Sequence, residues 1–122
     1  EAYLGRGVAY FNLSLRHMAI DDFDEAIRLN SEYAQAYVSR GAAYFDMDET
    51  QLALQDFDQA TRLQPKSPEA YALRAVAYYL LQRDREALPD IRKALELGMD
   101  QMDLDRMIEQ AVLSPKSQET TS

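Results

Sequence analysis

Along the chain apolar residues return every three or four positions, as in Tyr37, Gly41, Tyr44 and Phe45 and then Leu54, Phe57, Ala60 and Leu63. That spacing places them on one side of a 3.6-residue helix and leaves the polar residues between them for the other side. The pattern predicts helices at about 1–13, 17–30, 34–47, 50–63, 68–81 and 84–97. Breaks fall at Asn30-Ser31, from Pro65 to Pro68 and at Gly98. From Met99 to Leu113 the same period appears once more, with Leu104, Met107, Ile108, Ala111 and Val112 on one stripe and Asp103, Asp105, Arg106, Glu109 and Gln110 opposite.

The helices are copies of one another. Shifted by 34 residues, Tyr3 lands on Tyr37 and Tyr71, Gly7 on Gly41 and Ala75, Ala9 on Ala43 and Ala77, and Tyr10 on Tyr44 and Tyr78. In the second half of each copy Ala19, Ala53 and Ala87 are followed by Phe23, Phe57 and Ile91, then Ala26, Ala60 and Ala94. A self-similarity of this length means stacked supersecondary units, here helix pairs. Gly7 and Gly41 lie inside helices, where glycine costs about 1 kcal/mol relative to alanine. Their retention predicts a close approach of the partner helix, with Ala19 or Ala53 facing the glycine and Tyr and Phe rings above and below. Pro89 lacks an N–H and crowds the carbonyl a turn earlier, which predicts a kink or a late start in the last helix of the third pair.

Arg6, Arg40 and Arg74 are each followed 16 residues later by an aspartate, Asp22, Asp56 and Asp90. An arginine on the first helix of a pair can take the carboxylate on the second in a bidentate bond, so these read as structural clamps in preference to a phosphate-binding ladder.

Composition narrows the chemistry. Of 122 residues 47% are apolar and 28% charged, with a net charge of −8. No apolar run is long enough to span a membrane, so the chain reads as soluble and acidic. With no cysteine, disulfides and thiolate metal sites are excluded and the compartment stays open, the cytoplasm slightly favoured. The net negative charge and the acid in register with each repeated arginine exclude a nucleic-acid reader and favour basic or neutral partners. No catalytic residue is assigned: the single histidine, His17, falls between the first two helices with no triad around it. Asp21, Asp22, Asp24 and Glu25 point around a helix and read as a solvated face, not a metal site. The glycines form no phosphate loop, so no cofactor is expected. Asn12-Leu13-Ser14 spells a glycosylation acceptor and reads as chance. The chain opens on Glu1, directly on a helical pattern with no leader, which suggests a processed product or a piece of a longer protein.

The repeated slots, aromatic, Gly or Ala, Tyr, Ala, Phe, Ala, resemble the tetratricopeptide repeat over residues 1 to about 99. Tyrosine replaces the family's usual tryptophan, and Ser31 and Met99 stand where proline is commonest, Pro65 alone keeping it. The resemblance implies an all-α fold, a right-handed α-solenoid of three helix-turn-helix repeats at about 1–33, 34–67 and 68–99. A capping helix at 100–114 closes its last apolar face, and 115–122 reads as a disordered tail. It also implies a non-enzymatic protein-interaction scaffold whose concave groove, lined by the first helix of each repeat, receives a peptide. The groove slots are then Leu4, Val8, Phe11 and Asn12, Val38, Ser39, Ala42, Phe45 and Asp46, and Ala72, Leu73, Val76, Tyr79 and Leu80, with Glu1, Gln35, Asp46 and Glu69 as a polar and acidic rim. Such a channel fits an apolar or amphipathic segment, a basic one included. A clamp for the acidic tails of heat-shock chaperones is not expected, because Leu4, Val8, Ser39, Glu69 and Leu73 occupy its basic and amide slots. Self-association, as a homo-oligomer, and a spacer role within a longer solenoid are the alternatives.

Overall fold

The computed structural model describes residues 2–113 and contains, among them, seven α-helices and no strand. These are α1 (Ala2–Asn12), α2 (Arg16–Leu29), α3 (Ala34–Asp46), α4 (Thr50–Leu63), α5 (Pro68–Leu80), α6 (Asp84–Glu96) and α7 (Gln101–Val112). Consecutive helices pair as hairpins, α1 with α2, α3 with α4 and α5 with α6. Two compact units result, Glu1–Pro65 with the first two hairpins and Lys66–Ser122 with the third hairpin and α7. The tail at 115–122 and the rim position Glu1 lie outside the described residues.

Local chemistry sets the ends. Ser67 caps α5, its hydroxyl accepting from the Ala70 amide at 3.4 Å, and Pro68 follows at the first helical position, where its missing N–H is harmless. Asp100 caps α7 by accepting from the Met102 amide at 2.7 Å. Inside each hairpin the first helix ends in one motif. Ser14, Asp48 and Gln82 occupy the left-handed region at φ of 63°, 64° and 60°. The amides of Leu15, Glu49 and Arg83 reach back to the carbonyls of Tyr10, Tyr44 and Tyr78 at 2.9, 2.8 and 2.8 Å. This is the Schellman closure, which satisfies two last-turn carbonyls and reverses the chain within a few residues. Gly98, at φ 105°, ends α6 in the same way.

In the first unit Ala19 and Phe23 of α2 meet Ala43 of α3, with Leu4, Tyr10, Phe11 and Ile20 packed around them. In the second, Leu104 of α7 is buried against Ala72 of α5 and Ala94 of α6, with Ile91, Leu95, Met107 and Ile108 around it. Removing a large side chain such as Phe23 or Leu104 fully from water contributes roughly 1.5–3 kcal/mol.

Three expectations change. The surface pressed against the glycines is a phenylalanine ring, not an alanine methyl. A Cβ on Gly7 would stand 2.6 Å from Cε1 of Phe23, and one on Gly41 2.6 Å from Cε1 of Phe57. In the third hairpin the pair becomes Ala75 and Ile91, the smaller aliphatic group coinciding with the added methyl. Helix α6 has no late start: it begins at Asp84 and runs through Pro89, anchored by buried Ala87, Asp90 and Ala94. His17 belongs to the first turn of α2 and is exposed, because the turn closes at Leu15.

Candidate functional site

The three arginines of the first helices fork onto the aspartates of the second. Arg6 donates from Nε and Nη2 to Asp22 at 2.9 and 2.8 Å. Arg40 does so to Asp56 at 3.0 and 2.7 Å, and Arg74 to Asp90 at 2.8 and 2.7 Å. All three carboxylates are buried, and no buried side-chain polar atom among the described residues lacks a partner. Each arginine also lies over at least one tyrosine ring of its own helix, Arg74 over Tyr71 at 5.8 Å. Arg6 is 5.7 Å from the Tyr3 centroid and 5.8 Å from that of Tyr10; Arg40 is 5.7 Å from Tyr37 and 5.9 Å from Tyr44. The Y-x-x-R-x-x-x-Y spacing carries that stacking, since residues three and four apart share a helix face.

The environments differ in one respect. The hydrogen bond from Arg6 holds the Asp22 carboxyl below the ordinary carboxylate range. At Asp56 burial outweighs the bond from Arg40 and, with the charge of Asp24 added, pushes the carboxyl up.

The run Asp21–Glu25 is not a uniformly solvated face. Asp22 is buried in its clamp, Asp24 accepts from Nη1 of Arg40 at 2.8 Å, and Glu25 pairs with Arg28. The Asp24–Arg40 bond ties α2 to the next hairpin, a partnership the spacing within one repeat could not reveal. Asp46, expected free on the groove rim, pairs with Arg16 of α2. Among the described residues no group of three potential metal ligands comes together.

The expected groove slots divide. On α1, Val8 is 38% exposed and Asn12 is exposed, while Leu4 and Phe11 are half-buried against the Phe23 cluster. On α3, Val38, Ser39, Ala42 and Phe45 are half-buried, and Phe45 packs edge-on to Phe57 with centroids 5.4 Å apart. On α5, Leu73 and Leu80 are half-buried and Tyr79 is exposed, but Val76 is only 4% exposed and Ala72 is buried. Those last two are core, not groove. Ala72 lies under Leu104 of α7, and Val76, one turn further along α5, is buried as well. The helix expected only to cap the end thus lies along α5.

Profiles of the tetratricopeptide repeat match residues 1–33 and 68–97, and a second TPR-repeat profile matches residues 43–82. The chain belongs to the tetratricopeptide repeat family. No curated protein is significantly similar to it in sequence. Among solved structures it is similar to MamA, at 33% identity over 79% of this chain and 56% of that one, with a TM-score of 0.77. It therefore spans just over half the length of that MamA chain. It is also similar to the Arabidopsis OM64 TPR domain, at 28% identity over 89% and 93% of the two chains and a TM-score of 0.79. The first TPR of Spaghetti (RPAP3), bound to the HSP90 peptide SRMEEVD, shares the fold at 24% identity over 99% and 92%, with a TM-score of 0.82. This TPR chain is an all-α helical repeat, and no described helix is long and apolar enough to cross a membrane.

Proposed function

We propose that this TPR chain is a non-enzymatic protein-interaction module that takes an apolar or amphipathic segment, basic sequences included, on the face formed by α1 and α3. Structures of the same fold hold peptides: the RPAP3 domain an HSP90 peptide, and the TPR2B domain of yeast Sti1 a pHsp70 partner. The observation that carries the reading is Val8, 38% exposed on a stripe with Leu4 and Phe11. It shares its slot with the half-buried Ala42 and stands beside the slots of Val38 and Phe45. An apolar surface left open on a small acidic domain marks a partner site. With Leu4, Val8 and Ser39 at the inward slots, that face offers no fork for a terminal carboxylate, and the net charge of −8 favours basic segments, so an acidic chaperone tail is the wrong ligand.

Val8→Glu tests this with little risk to folding, because the side chain is exposed. Circular dichroism and melting should stay as in the parent protein. In fluorescence anisotropy, affinity for a lysine-flanked amphipathic peptide should fall about tenfold, a loss of roughly 1.4 kcal/mol. Undiminished binding by the variant would refute the assignment.

A further inference from the structure

The second helices of the three hairpins share a register, and their outer faces do not share a charge. At one slot stand Asp24, Asp58 and Arg92, and at the next Glu25, Gln59 and Lys93. In the first unit this slot has a structural task, since Asp24 accepts from Nη1 of Arg40 on the following hairpin at 2.8 Å. In α6 the corresponding side chain is a cation. Among the described residues Arg85, Arg92 and Lys93 make no ion pair, although the chain carries a net charge of −8.

An apolar side chain lies among them. Leu88 shares the slot of Ile20, which packs in the cluster completed by Ala43 of the next hairpin, and of Leu54, which is 4% exposed. Leu88 itself is 56% exposed. Helix α7 follows α6 but packs along α5, which leaves Leu88 uncovered. Arg85, Leu88 and Arg92 fall at i, i+3 and i+7 and so form one stripe, with Lys93 beside it and Glu96 as the acid at its C-terminal end.

We propose that the outer face of α6 is a docking site for an acidic amphipathic helix of a partner protein, which sets a carboxylate on Arg92 and an apolar side chain on Leu88. The contact repeats the one between the first two hairpins with its charges exchanged. A second copy stacked end to end in that manner is the wrong occupant, because its Arg6 would meet Arg92, cation against cation. The site shares no residue with the α1–α3 face.

Two labelled synthetic helices test it in fluorescence anisotropy: one with leucines flanked by glutamates, and its twin with lysines in their place. The intact chain should bind the glutamate helix with a Kd below about 1 mM, more weakly as salt rises. Leu88→Ser and the double variant Arg92→Glu/Lys93→Glu should each weaken it about tenfold, and the double variant should gain affinity for the lysine helix. Val8→Glu should leave the glutamate helix bound as before. The proposal is overturned by absence of binding at about 1 mM, by equal binding to the α6 variants, or by loss of the glutamate helix in Val8→Glu. It is also overturned by a dimer in light scattering that Arg92→Glu dissociates, which would give the face to a second copy.

Discussion

At the scale of single residues, the 34-residue repeat conserves fits between side chains, not side chains alone. Gly7 with Phe23 and Gly41 with Phe57 are one solution, and Ala75 with Ile91 is the other. Gly41→Ala should therefore destabilise by about 1–3 kcal/mol through overpacking, despite alanine's better helix propensity. Adding Phe57→Ile should recover part of that loss in urea melts. Strict additivity of the two substitutions would show that the ring and the methyl do not collide. The clamp aspartates carry a second expectation, about pH. Asp22 has a folded pKa below its ordinary 3.8, so its stabilisation is present above that value and is lost as pH falls through the folded pKa. Asp56 has a folded pKa above 3.8, so its titration contributes stability below the unfolded value and loses it as pH rises through the folded one. From about pH 7 to about pH 3, the urea-midpoint advantage of the parent over Asp22→Asn should shrink. Its standing against Asp56→Asn should improve. Shifts of the same sign in both variants would contradict the assigned environments.

At the scale of elements, the three Schellman closures show where local sequence and fold disagree. Serine, aspartate and glutamine hold a left-handed conformation that glycine adopts freely. Glutamine has no short polar group to ease it, so Gln82→Gly should raise stability by about 0.5–1 kcal/mol in thermal or urea melts. Asp48→Gly should gain less, since aspartate tolerates that region better. A loss in Gln82→Gly would mean that its side chain makes an interaction the turn needs. Pro89 shows the same conflict resolved by packing. Helix α6 passes through it because Ala87, Asp90 and Ala94 are buried on one face, and tertiary burial outweighs a propensity penalty at a single position.

At the scale of the whole chain, a repeat protein is held by neighbouring contacts, and its stability is close to a sum over them. Leu104 is the largest fully buried side chain of the second unit, and through it α7 is joined to α5 and α6. Leu104→Ala should cost about 2–5 kcal/mol. Hydrogen exchange should locate the loss in α5, α6 and α7, with α1–α4 keeping their protection. A uniform loss would mean that the chain unfolds as one cooperative body. Charge also varies on this scale: the outer slots run from Asp24 and Glu25 through Asp58 and Gln59 to Arg92 and Lys93.

The sequence by itself determined the seven helices to within a few residues, their pairing and the family, because all three rest on periodicity. A 3.6-residue stripe and a 34-residue repeat survive in one dimension. It also carried the arginine–aspartate register, since a hairpin of fixed length places residues 16 apart face to face. Only the tertiary structure decided which apolar positions stay open. Leu4, Val8, Ala72 and Val76 look alike along the chain. Their exposure depends on what packs beside them, and Leu104 of α7, lying against α5, removed Ala72 from the list. The partners of Asp24 and Asp46 were illegible for the same reason. Arg40 and Arg16 meet them from other hairpins, and the repeat period says nothing about a contact that crosses from one copy to the next.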